Sequence, residues 1–359
     1  MKRFWVRSLL LCLLVAAGTP QLAKASQVYG HLYFADIMIQ SPAGRYLDLQ
    51  EQTRAEFFLG SLAPDSAWLA HMISSPRING QLQKQYGISL PKNLRPVSAQ
   101  LDDVHQVQPT KVALQLLVNA EQPTDRAFAI GWLSHYVADS YIHDLINRHG
   151  GYVVDPTRFD DPAMKRHDWL EALEMRHVLE LEGIRLRDIA YETRGAPVPG
   201  AYLRMALGKV YPKNTFYERH PEYFLRTFTL ASDLMTDSTR WYGYQSKHSE
   251  AEIARMKRLI RRFRPSVGKV LSVLTDLPPL TEYRETLSKG SFIADWNRRA
   301  GEIADSSRYL VNQCAAYYWW RDRNSELGNL LSAEALDRVE AELRRINPQN
   351  DLMQPRHFR

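Results

Sequence analysis

Cysteine is scarce in this chain. Only Cys12 and Cys314 occur, and Cys12 falls in a segment that reads as a removable leader, so no intrachain disulfide braces the remainder. Long apolar runs are missing too. The longest, from Ser8 to Ala17, is well short of the ~20 residues that span a bilayer as a helix. Strict apolar–polar alternation over a strand length is hard to find, which argues against a sheet protein. Charge of one sign is also lacking once the leader is set aside. The chain carries 46 basic and 40 acidic side chains, but residues 1–25 hold four of the basic ones and no acid, leaving 42 against 40, or +2. A balance so close to zero weakens a global electrostatic case for nucleic acid.

The leader itself has the parts of a secretory signal peptide. Lys2, Arg3 and Arg7 precede the apolar run, and Ala23-Lys24-Ala25 offers a small-x-small cleavage site. The expectation is a mature chain over 26–359, exported to the periplasm or secreted; a retained N-terminal anchor is the alternative.

What is present is helical spacing. The stretches at 110–120, 127–146 and 168–184 place large apolar groups at steps of three and four. Thr124 or Asp125 is expected to cap the second of these, and Gly150-Gly151 to end it. Asp161-Pro162 opens the third, and further helices are expected near 220–245, 249–263, 291–325 and 332–346, the last capped by Ser332. No internal repeat or low-complexity segment occurs. The longest loop is expected from Ser74 to Asp103, and the fold class is all-α in a single multi-helix domain.

Chemistry concentrates in the second helix, where His135, Asp139 and His143 stand four apart. A four-residue step overshoots one turn by about forty degrees, so His135 and Asp139 share a face and His143 lies a notch further round. Imidazole and carboxylate are the ligands expected for zinc where thiolates are absent. Such a triplet also arises on ordinary amphipathic helices. His167 and Glu171 repeat the i, i+4 spacing on the next helix, with Glu174 and His177 continuing a polar stripe that reads equally as a solvated face. Asp65, after Pro64 in "LGSLAPDSAW", is a further carboxylate or a plain turn or cap residue. His105, rather than His71, is the preferred imidazole to join it. Cleavage after Ala25 would free the α-amine of Ser26, five residues before His31. An α-amine has a pKa near 8 and can ligate once an ion displaces its proton.

These pieces, "YGH", "GSLAPD", "VHQVQP", "AFAIGWLSHYVADSYIHDL" and "HDWLE", resemble in kind and order the zinc-dependent phospholipases C. That family is related to the fungal single-strand-specific nucleases and to the glycosylphosphatidylinositol-cleaving phospholipase D enzymes. The likeness runs from 26 to about 190 and leaves 191–359 unassigned. It implies a helical fold with up to three zinc ions in a cleft between helices. Asp65, His105, His135 and Asp139 would hold the first ion; His143, His167 and Glu171 the second; Ser26, His31 and a shared Asp139 the third. Relatives tend to begin with tryptophan where this mature chain begins with Ser26, and His143 lies nearer to Asp139 than its counterpart in some of them, which leaves His149 as a substitute.

The function implied is zinc-assisted hydrolysis of a phosphodiester, in a phospholipid, on the head-group side of the phosphate. Asp65 serves as proton acceptor and Asp139 as bridging ligand. Such a substrate brings peripheral membrane contact with it, and no stable nucleic-acid partner is expected. Two alternatives stay open. A single-strand nuclease of the same fold would need an aromatic platform, for which Trp132, Tyr136, Tyr141 and Tyr152 are available unless they pack the core. A non-catalytic zinc-binding module would use surfaces such as the aromatic run 317–320. The basic stretch "RMKRLIRRFR" at 255–264 reads either as a phospholipid- or phosphate-facing strip or as a solvated helix face.

Overall fold

The computed structural model describes residues 28–73, 108–151, 162–193, 196–212, 248–263 and 280–347. Eleven helices occur among them and no strand: α1 (Val28–Ile39), α2 (Pro42–Tyr46), α3 (Arg54–Ile73), α4 (Pro109–Asn119), α5 (Pro123–Gly150), α6 (Pro162–Glu192), α7 (Gly200–Val210), α8 (Glu250–Phe263), α9 (Leu280–Lys289), α10 (Ser291–Arg321) and α11 (Glu326–Ile346). None is long and apolar enough to cross a membrane.

The order of packing follows from α5. From Ala127 to Ala138 every residue is buried, so this helix is covered on all sides and must sit at the centre. α3 makes the most extensive contact with it, and α1, α4, α6 and α10 complete the surround. Its cap lies two or three residues earlier than Thr124 or Asp125: Gln122 occupies the cap position and Pro123 the first helical one, where its fixed φ and missing N–H cost nothing. Its end is at Gly150, with Gly151 at φ +89°, a conformation favoured by glycine.

α6 also begins on its proline, Pro162, and bends at Glu182, where φ −138° and ψ 21° depart from helical geometry. The cap of α11 lies seven residues before the expected one. Ser325, not Ser332, accepts a hydrogen bond from the Gly328 N–H at 3.0 Å, and Ser332 lies inside the helix with its hydroxyl donating to the Asn329 carbonyl. The carbonyls at the end of α4 are satisfied from two elements: Tyr202 Oη of α7 donates to Leu116 at 2.6 Å, and from α10 Tyr318 Oη donates to Leu117 at 3.1 Å and Arg321 to the cap residue Ala120 at 2.7 Å. Tyr317 and Tyr318 of the aromatic run are thereby core residues. Trp319 is 43% exposed, under the Arg323 guanidinium.

Candidate metal centre

Two glycines bring α3 and α5 together. A Cβ on Gly60 would stand 2.2 Å from the Phe128 carbonyl oxygen, and one on Gly131 would stand 1.9 Å from that of Phe57. The backbones therefore meet directly, and any side chain at either position would hold them apart. This approach carries the Ser61 carbonyl to His135 Nδ1 at 2.8 Å. A carbonyl can only accept, so Nδ1 holds the proton and Nε2 is left with its lone pair outward. Asp65, whose sequence context left a ligand or a turn or cap residue open, lies within α3, one turn on from Ser61 and directly after Pro64.

Four side chains from three helices converge beyond this crossing. His31 Nε2 of α1 lies 3.5 Å from Asp65 Oδ2 and 3.5 Å from Asp139 Oδ1. His135 Nε2 lies 3.3 Å from Asp139 Oδ2 and 3.9 Å from Asp65 Oδ1. The His31 and His135 rings stack with centroids 3.7 Å apart. Ligand atoms about 2.0–2.1 Å from a tetrahedral zinc ion lie about 3.3 Å from one another. The observed spacings cluster around that edge length and exceed the 2.7–3.2 Å usual for an N–H···O hydrogen bond. The donor set is hard-to-borderline nitrogen and oxygen, as zinc accepts in the absence of thiolate.

A second group adjoins the first. His143, His167 and Glu171 place one ligand atom each within 4.8 Å of one another, as do His31, His135 and Asp139. His143 and His167 stack at 5.3 Å, and His167 Nε2 lies 2.7 Å from Glu171 Oε1, a hydrogen-bond contact that an ion would have to open. Asp139 joins the groups, its Oδ1 lying 3.5 Å from His143 Nε2. His149 goes elsewhere: its Nε2 is 3.0 Å from Asp295 Oδ2 and its ring meets Phe292 edge-on. Ser26 and His105 lie outside the described residues, as does Tyr152, and the His71 side chain is not described. His31 and His135, assigned by the resemblance to different ions, thus share one carboxylate, Asp139, between them.

The sequence reading left Glu174 and Trp296 out of the site. Glu174 is 2% exposed, and its Oε1 accepts a hydrogen bond from Trp296 Nε1 at 3.1 Å. Burial raises its pKa to about 8, with Glu171 and Asp139 adding to the rise and the indole N–H opposing it. Trp296 comes from α10 and packs edge-on against His177 at 4.7 Å. His177 is held neutral by burial, its pKa lowered. Its Nε2 faces Asn297 Oδ1 at 3.3 Å and its Nδ1 the Tyr283 hydroxyl at 2.8 Å. Since the amide oxygen only accepts, the proton sits on Nε2 and the tyrosine donates to Nδ1. The i+3 spacing of Glu171 and Glu174 was visible, but not the indole that buries the second.

The family model for zinc-dependent phospholipase C matches residues 30–194. Over that span the chain is similar to the zinc-dependent phospholipases C. No curated protein and no solved structure matches the chain. The matched span contains His31, Asp65, His135, Asp139, His143, His167, Glu171 and Glu174, and it ends before α7. The phospholipase C match therefore covers both candidate ligand groups, while Trp296 reaches them from outside it. Family dependence on zinc and the chemistry and spacing of the first group agree; the second group agrees in donor type.

Proposed function

We infer that this protein is an exported, zinc-dependent hydrolase of phospholipids. The observation that carries the reading is the convergence of His31, His135 and Asp139, one ligand atom of each within 4.8 Å of the others, with Asp65 beside both imidazoles, inside the span that matches the family. Export rests on the leader at 1–25. Hydrolysis of the phospholipase C type would break the ester on the glycerol side of phosphorus and release the phosphorylated head group, rather than the bond on the head-group side.

His31, Asp65, His135 and Asp139 would hold one ion, and His143, His167 and Glu171 another, with Asp139 shared. Zinc, when bound, supplies Lewis acidity that neutralises charge gathering on phosphoryl oxygens and makes water acidic near neutral pH. The chain's own groups prepare the rest. The Ser61 carbonyl fixes His135 in the tautomer whose Nε2 lone pair would ligate. The Asp65 carboxylate would take the proton of the attacking water. Trp132, Tyr136 and Tyr141 are buried, and the two tyrosine hydroxyls bond Thr110 and Ser306, so none offers an open face on which a base could stack.

The test is metal analysis of the purified protein beside hydrolysis of phosphatidylcholine, phosphatidylinositol and single-stranded DNA, before and after chelation. Expected are bound zinc and hydrolysis of a phospholipid that chelation abolishes and zinc restores. Bound zinc with no hydrolysis of any phosphodiester would leave a binding module, and cleavage of DNA alone would leave a nuclease.

A further inference from the structure

Helix α8 is built to be helical by itself. Ser249 and Glu252 form a reciprocal capping box: the Ser249 N–H and hydroxyl donate to Glu252 Oε2 at 2.9 and 2.8 Å, and the Glu252 N–H donates to Ser249 Oγ at 3.4 Å. Beyond this cap the helix packs extensively on none of the other described helices. Ala251, Ala254, Arg255 and Arg258 are exposed, Ile253 and Met256 are half-buried, and Leu259 is 41% exposed.

Its residue types divide by face. At about 100° per residue, Ile253, Met256, Leu259, Ile260 and Phe263 fall within an arc of about 120°, and Arg255, Lys257, Arg258, Arg261 and Arg262 fall on the opposite side. No acidic residue follows Glu252 until Asp276. A solvated helix face would account for the basic residues but not for five large apolar positions opposite them. A nucleic-acid strip would likewise need the charge alone. Basic residues backed by an apolar face match an anionic lipid surface, which supplies phosphate charge at the head groups and hydrocarbon just beneath.

We propose that α8 is an interfacial helix that docks this protein on an anionic phospholipid surface. Ile253, Met256 and Leu259 would face the acyl boundary, with Arg255 and Arg258 among the head groups. The inference deepens the phospholipid reading and rests on it for the choice of partner. With the mature charge near balance, the attraction is local to this helix and falls with salt.

The test uses the full mature protein. Co-sedimentation is measured with vesicles of phosphatidylcholine alone and of phosphatidylcholine mixed with phosphatidylglycerol, for the native protein, Arg255→Glu/Arg258→Glu and Leu259→Gln. Expected is salt-sensitive binding to the mixed vesicles, weakened at least about ten-fold by the double charge reversal and several-fold by Leu259→Gln. Hydrolysis of a monomeric short-chain phospholipid should be unchanged in both variants, which also shows that they fold. Native-like vesicle binding by both variants overturns the proposal, as does binding of the native protein to single-stranded DNA but not to vesicles. Vesicle binding through α8 without any hydrolysis of the short-chain lipid upholds the docking and removes the hydrolase reading instead.

Discussion

Replacing Glu174 by glutamine tests the electrostatics at the back of the centre. In the folded, metal-free protein the Glu174 pKa rises from 4.5 to about 8, chiefly because burial disfavours the anion. Between those values the folded state holds a proton that the unfolded state has released, so stability falls as pH rises from about 4.5 and the full penalty is present above about 8. The shift from 4.5 to about 8 corresponds to a penalty on the order of 5 kcal/mol at high pH. Linkage puts roughly 3 kcal/mol of it between pH 5 and pH 8. Glutamine keeps an oxygen that can accept from Trp296 Nε1 and removes the ionisation. It adds an amide donor whose cost, about 1–3 kcal/mol if left without a partner, does not vary with pH. In chelator, urea unfolding of both proteins at pH 5, 6, 7 and 8 should therefore show the glutamine variant gaining on the native protein by roughly 3 kcal/mol across the series. A stability difference that stays constant with pH would show that Glu174 does not titrate in this range and would refute the desolvation argument. With zinc restored the gain should shrink, because a nearby cation favours the carboxylate.

Two more substitutions probe the centre directly. Asp139→Asn weakens a ligand that faces His31, His135 and His143, and should lower both retained zinc and phospholipid hydrolysis by more than about 100-fold; native zinc content in this variant would remove Asp139 from the centre. Gly131→Ala places a methyl group 1.9 Å from the Phe57 carbonyl oxygen, so α3 and α5 must part; thermal unfolding should show a loss of about 3 kcal/mol or more and zinc titration a weaker affinity, and an unchanged melting temperature would refute the close crossing.

The helical periods carried most of this architecture into view. His135, Asp139 and His143, like His167 and Glu171, are bound to share helix faces by 3.6-residue geometry alone, and Gly150-Gly151 ends α5 because few other residues tolerate its final φ. Asp65 could be read as a ligand or as a turn residue because Pro64 normally stops a helix. Here α3 continues through the proline, held by its packing along α5. The α11 start was missed because Gly328 reads as a breaker, whereas it supplies the N–H that Ser325 caps. Glu174 was beyond reach for another reason. Its burial depends on Trp296, 122 residues away in sequence, and no local pattern records such a contact.

The charges of the surrounding helices explain why this cluster calls for cations rather than for salt bridges. Asp65, Asp139, Glu171 and Glu174 come from α3, α5 and α6, and four arginines of these helices are turned to other acids. Arg54 reaches Glu192 at 2.7 Å, Arg185 reaches Asp36 at 2.6 Å, Arg176 reaches Glu180 at 3.0 Å and Arg148 reaches Asp144 at 2.6 Å. Even Arg299, brought in by α10, bonds Asp144 and Glu302. Histidines face Asp65, Asp139 and Glu171, and His135 has its Nδ1 proton directed at a carbonyl. Several buried carboxylates beside imidazoles are costly unless positive charge neutralises them. Divalent ions in the two ligand groups would supply that charge without the bulk or the desolvation cost of guanidinium. Binding would then contribute to the stability of the fold as well as to its chemistry.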